Sequence, residues 1–474
     1  MSHPLSLLRG AVLWTPLAML MEDEARASAV TGLFHCPITG TMIACALSGR
    51  LVSPGNREHH GEIMPANDTL NAVTQRRRQG TPGEVLAAFL KLGLTSFGGP
   101  IAHLGYFREE FVARRGWIDD RAYADLVALC QFLPGPASSQ VGFVLGLQRA
   151  GPVGALAAWA AFTLPSALLL MLFALGAGAF SGPLGIGVLN GLKLVAVAIV
   201  AQAVWGMART LCPDRSRQTI ALAAVLMAVL IGGATGQLGA ILLGGLAGLW
   251  LCRDTAGAPG EALHFPVSRQ AGIIALALFF ILIFGLPLAV MLFPAQGLAV
   301  IDAFYRAGAL VFGGGHVVLP LLEAEVVRPG WVTPDAFLAG YGAAQAVPGP
   351  LFTFAGYLGM LLEPGPNGIA GATLALFAIF LPGFLLLVGA LPFWNTLRAR
   401  SGVRAPMAGA NAAVVGILGA ALYDPLWTSA VGSPRDFALA LTCFVALMSW
   451  KFPPSLVVLI AAAGGAILEV SSMS

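Results

Sequence analysis

Apolar runs fill the chain from residue 85 onward, separated by short polar connectors. Runs of about 18 or more mostly apolar residues predict membrane-spanning helices. Such runs lie near 85–107, 123–147, 153–179, 185–208, 218–233 and 236–252. The polar connector RDTAGAPGEALHFPVSRQ follows, then further runs near 271–293, 299–322, 337–361, 368–394, 408–427, 436–450 and 453–469. The pattern predicts 13 helices, an odd number that puts the two ends of the set on opposite sides of a bilayer. Two runs have polar, helix-breaking centres: QFLPGPASSQ, from Gln131 to Gln140, and QAVPGPLFTF, from Gln345 to Phe354.

Composition agrees with a membrane protein. Charged residues are 10% of the chain, against roughly 25% in a soluble domain, and the mean hydropathy is +0.81. A net charge of +3 gives no reason to expect nucleic acid as a partner. The six cysteines show no C-x-x-C spacing and H-E-x-x-H is absent, so neither a metal nor a cofactor is expected. Residues 1–63 are mixed in polarity and lack a sustained period; they are expected to be disordered or to precede a true start at Met64. The expected domains are an N-terminal extension at 1–79, a first repeat at 80–252, a linker with an extra helix at 253–298 and a second repeat at 299–470.

Lys and Arg favour cytoplasmic loops. An inside amino terminus puts Arg149, Arg209, Arg215, Arg217 and Arg269 in the cytoplasm but leaves Arg108, Arg114, Arg115 and Arg121 outside. That misplaced group leaves open that the first two segments of each half do not both cross. Re-entrant proline-glycine segments would change the count, and the halves would then be expected to run parallel.

The chain repeats itself. FLKLGLTSFGGPIAHL, from Phe89, aligns with FYRAGALVFGGGHVVL, from Phe304, at an offset of 215, matching Lys91 with Arg306. Gly116-Trp117 aligns with Gly330-Trp331, Gln131 with Gln345, and Pro134-Gly135-Pro136 with Pro348-Gly349-Pro350, all at an offset of 214. Pro165 pairs with Pro382 further on, after a small insertion. An odd number of crossings between the copies makes them inverted repeats, an architecture that secondary transporters build with broken helices around a mid-membrane site. The expected fold is therefore an all-α integral membrane protein of about 13 transmembrane helices in two inverted repeats.

The broken centres have a physical use. Proline lacks an N–H and favours the first turn of a helix. A helix that stops near Pro134 and restarts at Pro136 aims the free amides of Ala137, Ser138 and Ser139 at one spot, where an oxyanion is stabilised. Ser138, Ser139 and Gln140 add side-chain groups, and Gly98-Gly99-Pro100 can break a helix the same way. A plain proline kink is the alternative, weakened by the recurrence of both motifs in both halves. The second copy is less polar: Phe352-Thr353-Phe354 replaces Ser138-Ser139-Gln140, and Gly315 replaces Pro100.

Charge inside an apolar helix is costly and marks a partner or a cavity. Lys91, Arg306 and Lys193 are candidates for contact with an anion, with snorkelling to the interface as the alternative. Proton-coupling candidates are His103, His316, Glu110 and Glu325; the glutamates are also expected to pair with arginines on a wet face.

These duplicated FGGP and Q-x-x-PGP-x-x-x-Q segments resemble the chromate ion transporter family in its long two-domain bacterial form, over about residues 80–470. The resemblance implies export of chromate from the cytoplasm, driven by ion gradients, with sulfate as a related anion. Carried over, the motif positions are Phe97, Gly98, Gly99, Pro100, His103, Gln131, Pro134, Gly135, Pro136 and Gln140, then Gly313, Gly314, Gln345, Pro348, Gly349 and Pro350. The second half lacks counterparts of Gln140 and His103. The expected partners are chromate or sulfate, the lipid bilayer and, as an assembly, a homodimer. The expected location is the cytoplasmic membrane, multi-pass, amino terminus inside. A sulfate permease is the main rival reading. An intramembrane enzyme lacks a nucleophile beside a base, and an ATP-driven pump lacks G-x-x-x-x-G-K-[ST].

Overall fold

A computed structural model describes residues 80–176, 182–252, 265–312, 315–394 and 401–473, so the expectations for 1–79 and for Gly313 and Gly314 lie outside the described residues. The described residues are helical, with no strand among them. In the first repeat, α1 (Pro82–Thr95) starts on a Thr81 side chain that accepts from the Glu84 amide, with Pro82 in its first turn. It ends before the Gly98-Gly99 break, and α2 (Gly99–Phe107) continues into a π-helical turn at Arg108–Arg114. An Asp119 cap opens α3 (Asp120–Phe132). The helix α4 (Ala137–Gly176) is two arms, 137–149 and 152–176, because Ala150 and Gly151 leave helical geometry.

The arms fold back on one another. Lys91 reaches Glu110, Glu84 reaches Arg115, and the Phe89 ring stacks on Phe111 at 4.8 Å, so α1 and the stretch 99–114 run antiparallel. Arg149 lies over the Trp117 ring, and its carbonyl accepts from the Gly80 amide. Both broken segments therefore enter and leave at one end of the bundle, here called end A. The FGGP and PGP segments are thus re-entrant hairpins.

Crossing helices follow. The arm 152–176 leaves end A, and α5 (Pro183–Leu211) returns. Next, α6 (Arg215–Leu230) and α7 (Gly233–Leu251) form a hairpin, with Gly236 packed on Ile231 and Gly239 on Met227, and α8 (Arg269–Leu292) leads to the far end, end B. The second repeat starts there with α9 (Gln296–Ala309), α10 (Val318–Leu322) and a π-helical turn at Glu323–Val327. Its second hairpin is α11 (Pro334–Ala344) and α12 (Phe354–Leu361), antiparallel through the Tyr357 hydroxyl on the Ala336 carbonyl at 2.9 Å. Then α13 (Gly368–Ala390), α14 (Ser401–Ala421), α15 (Pro434–Met448) and α16 (Pro454–Met473) alternate in direction. Arg328 packs on Gly232 and Gly233 in the turn between α6 and α7, which places the root of the second repeat at end B.

Of the 13 expected crossings, four are therefore re-entrant hairpins; six of the remaining nine are helices long and apolar enough to cross, and the shorter α6, α7 and α15 alternate in direction with them among the described residues. The inverted arrangement holds. The expectation that re-entry would make the halves parallel fails, because each half loses two crossings and an even loss leaves the parity unchanged. Re-entry also moves Arg108, Arg114, Arg115 and Arg121 to end A with Arg149, so the arginine anomaly disappears. Arg328, which an inside amino terminus with 13 crossings puts in the cytoplasm, moves to end B.

Single cysteines test this layout. Thr81→Cys and Asp119→Cys should react with an impermeant maleimide from the same side, and Pro329→Cys and Glu363→Cys from the other. Reaction of Asp119→Cys from the side opposite Thr81→Cys would show instead that the FGGP segment crosses.

Candidate functional site

The four re-entrant tips meet around a pseudo-two-fold axis. The Gly135 amide of the first PGP loop donates to the Val311 carbonyl beside the second FGG break, at 2.8 Å. The Gly349 amide of the second PGP loop donates to the Ser96 carbonyl beside the first, at 2.9 Å. These are the same bond made twice, since Gly135 aligns with Gly349 and Ser96 with Val311. On the axis, a methyl built on Gly315 would sit 3.3 Å from Pro100 Cγ, and these two positions are also aligned.

Backbone conformation fixes the glycines here. Gly135 has φ 120° and Gly349 φ 100°, a region that L residues rarely adopt. A Cβ at Gly135 would lie 3.0 Å from Gly383 Cα, and one at Gly349 would lie 2.8 Å from Ser166 Oγ. Each PGP loop thus presses on the residue after the mid-helix proline of a long helix, Pro382 on α13 or Pro165 on α4.

The first-repeat restart is as expected, with α4 beginning at Ala137 and its first amides without intrahelical acceptors. Ser138, Ser139 and Gln140 are buried. Gln140 Nε2 donates to the Pro134 and Gly383 carbonyls at 3.0 and 2.9 Å, so its amide ties the loop to the second repeat. His103 is buried, with Nε2 3.2 Å from the Ser96 carbonyl oxygen and Nδ1 3.4 Å from Ser138 Oγ. Gly98 and Gly99 both have positive φ, and a methyl built on Gly99 would meet nothing within 4 Å, so that loop borders open space.

Several buried polar atoms around these loops have no partner: Ser96 Oγ, Ser139 Oγ, Thr163 Oγ1, Gln140 Oε1 and Gln345 Nε2. Such atoms are rare in folded proteins. Four of the five belong to groups that can donate a hydrogen bond. Ser96, Ser139 and Gln345 stand on or beside the loop tips, and Thr163 stands three residues before Ser166, which packs on Gly349; together with the helix-start amides, what they offer is uncharged donors. Ser96 and Thr163 were missed from sequence. Each stands within three residues of a conspicuous motif, FGGP or the Pro165 kink, and its polarity in an apolar run was the available signal.

The charged candidates sit elsewhere. Lys91 bonds Glu110 at 3.3 Å, and Arg306 bonds Glu325 at 2.8 Å, so the aligned residues make aligned ion pairs near the roots of the hairpins. As expected, the glutamates pair with arginines, since Arg114 and Arg115 also hold Glu110, but not on a wet face, because packing of α1 on the π-helical turn buries Glu110. The pairs differ in setting. Lys91 is half exposed, whereas Arg306 bridges Glu325 and the buried Asp302, a carboxylate with no first-repeat equivalent. Lys193 bonds the exposed Asp335 at 3.0 Å, at the start of α11. His316 Nδ1 lies 2.8 Å from the Tyr341 hydroxyl. Gln131 is exposed at the end of α3, whereas its mate Gln345 turns its amide inward. At the end A surface, the Arg108 guanidinium at 2.6 Å holds the Asp120 carboxyl below its ordinary range. Among the described residues no cluster of His, Cys, Asp and Glu could hold a metal ion.

Two outcomes are expected from this geometry. Gly135→Ala forces an L residue into a left-handed conformation against Gly383, at a cost of about 1–3 kcal/mol from strain alone. It should lower thermal stability in detergent and abolish flux; wild-type stability and flux would show that the tip tolerates rearrangement. Arg306→Ala strands the buried Asp302 and the partly buried Glu325 and should cost about 3–5 kcal/mol. Lys91→Ala should cost no more than about 1 kcal/mol, because Lys91 is solvated and Glu110 keeps two arginines. Equal losses in a thermal-shift comparison would contradict that asymmetry.

Comparison with known proteins bears on the whole arrangement. The profile of the Chromate transporter family matches residues 83–249 and again 298–466, one match for each repeat. The chain is 30% identical over 393 residues to the "Chromate transport protein" of Pseudomonas aeruginosa, covering 80% of this chain and 90% of that one. It is 30% identical over 405 residues to the "Probable chromate transport protein" of Synechococcus elongatus, covering 80% of this chain and 93% of that one. An "Uncharacterized transporter YwrB" of Bacillus subtilis aligns over 169 residues at 34% identity, covering 35% of this chain and 83% of that one. No solved structure matches. Two family matches in one chain, each spanning one set of re-entrant hairpins, place this protein in the chromate transporter family in its two-repeat form.

Proposed function

We infer that the protein is a secondary transporter that carries chromate outward across the cytoplasmic membrane, and so confers chromate resistance. The observation that carries this reading is the cradle at the pseudo-two-fold axis. Opposed half-helix starts meet there, and buried hydroxyl and amide donors have no partner. A tetrahedral dianion satisfies several donors at once, and the positive ends of the helix dipoles favour its charge. The substrate-contacting set is the pair of tips: Gly98, Gly99, Pro100, Pro134, Gly135, Pro136, Ser138, Ser139 and Gln140 from one half, and Gln345, Pro348, Gly349 and Pro350 from the other. Lys91 acts at the end A approach, where a cation draws the anion inward, and Arg306 and Lys193 stand at the end B approach, tempered by their pairs with Asp302, Glu325 and Asp335.

Inverted halves suit alternating access, because exchanging the conformations of the two repeats exchanges which end is open. The arginine-rich end A fits the cytoplasmic side, which puts the start of α1 inside and the end of α16 outside. A cationic entrance on the cytoplasmic side and an acid-bearing root at end B, with Asp302 and Glu325, favour loading an anion inside and releasing it outside.

Radiotracer flux in vesicles of known orientation tests this reading. Everted vesicles should take up chromate, and Ser139→Ala should raise the apparent KM roughly ten-fold, since a hydrogen bond to a charged group is worth about 1.5–3 kcal/mol. Thr353→Ala, at the aligned position, should do less, because its hydroxyl already donates to the Pro350 carbonyl at 2.7 Å. Sulfate carried in preference to chromate would identify a sulfate permease. Uptake only by right-side-out vesicles would reverse the direction.

A further inference from the structure

The bonding around His103 fixes which way the Ser138 hydroxyl points, with a consequence for the anion site proposed above, on which this inference rests. A backbone carbonyl can only accept, so His103 Nε2, 3.2 Å from the Ser96 oxygen, carries a hydrogen and donates it. That same carbonyl accepts from the Gly349 amide at 2.9 Å, using its second lone pair. A neutral imidazole has one N–H, so with Nε2 protonated Nδ1 is bare and accepts. Ser138 Oγ, 3.4 Å from Nδ1, then donates its only hydrogen to the ring. In this state Ser138 turns lone pairs toward the cradle, and a lone pair repels an oxyanion. Ser139 Oγ, one residue on, has no partner and is not constrained in this way.

We propose that His103 is a proton-linked positioning residue, and that the anion and one proton bind together. When a proton adds to Nδ1, the imidazolium donates at both nitrogens, to the Ser96 carbonyl and to Ser138 Oγ. Ser138 becomes an acceptor toward the ring and its O–H is released to donate to the anion. No covalent bond other than N–H is made. The proton comes from water and returns to it when the anion leaves. The bound dianion stabilises the imidazolium by charge, so each ligand raises the affinity for the other.

The surroundings favour this coupling over competing charges. The groups facing the ring are the Ser96 carbonyl at the end of α1, Ser138 on the first arm of α4, and the Phe162 ring edge-on at 5.3 Å on the second arm. The charged groups on these elements and on the π-helical turn that continues α2 are Glu84, Lys91, Arg108, Glu109, Glu110, Arg114 and Arg149, and the ion pairs among them lie toward the roots of the hairpins. The second repeat has no counterpart, because Val318 stands at the position aligned with His103 and the Ser138 mate is Phe352. The linkage is therefore one proton per anion, confined to one half.

Equilibrium chromate binding to the purified full-length protein, measured between about pH 7 and about pH 9 where the probe is chiefly the dianion, reads this directly. Taking up one proton with the anion makes the apparent Kd rise about ten-fold for each pH unit, so affinity falls as pH rises. Titration calorimetry in buffers of different ionisation heat should show about one proton absorbed per chromate. His103→Gln offers a permanent N–H donor to Ser138 in place of a titrating one, so it should bind with a flat pH profile and absorb no proton. A flat wild-type profile, or proton uptake that persists in His103→Gln, overturns the linkage. If His103→Gln does not fold, the wild-type slope and proton count alone decide. Ser139→Ala separates the two readings. Weakened binding with a flat wild-type profile leaves the anion site standing and removes only the proton. Binding unchanged in Ser139→Ala, or no chromate binding by the wild type, removes the site and the linkage with it.

Discussion

Broken backbone inside a bilayer must find its hydrogen bonds within the protein, because hydrocarbon supplies none. In this fold the requirement is met across the pseudo-two-fold axis. The Gly135 amide is satisfied by Val311 and the Gly349 amide by Ser96, so neither PGP loop closes without an FGG break from the other half. Each repeat thus completes the other. The glycines that make these contacts have no freedom to be anything else, since their φ values and the approach of Gly383 and Ser166 leave no room for a Cβ.

The same constraint creates the chemistry. The Gly135 and Gly349 amides are used up in holding the axis together, while side chains added around them, Ser96, Ser139, Thr163 and Gln345, are left with unmade bonds. A buried donor without a partner is costly, and a cluster of them around helix starts is stabilised when an anion arrives. The cradle is uncharged, and the cations are kept at the hairpin roots in ion pairs. In the proposed function, dianion binding there relies on dipoles and hydroxyls, which allows release; a fixed buried cation would hold the anion more tightly.

The two halves have diverged in what they offer around that shared frame. The first supplies hydroxyls, a histidine and solvated basic residues. The second supplies aromatic rings, with Phe352 and Phe354 where the first has Ser138 and Gln140, and a partly buried Asp302–Arg306–Glu325 triad where the first has Lys91 and Glu110. Symmetry of backbone with asymmetry of side chains suits a transporter whose two faces do different work.

Much of this was legible in the sequence. The duplication, the helical class, the break positions and the pairing of glutamates with arginines followed from spacing, because apolar periodicity and proline-glycine chemistry act locally. The family profile repeats along the chain as the internal matches do. What the sequence could not decide was whether the broken segments cross. An apolar run of 23 residues looks the same whether it spans once or turns back in its middle, and only the contacts of Glu84 with Arg115 and of Gly80 with Arg149 distinguish the two. Those contacts depend on residues far apart in the chain meeting at one end of a hairpin. So do the crossed glycine bonds and the contact of His103 with Ser138. Local pattern set where the helices stop; tertiary packing alone decided which way each one turned afterwards and which donors were left facing the axis.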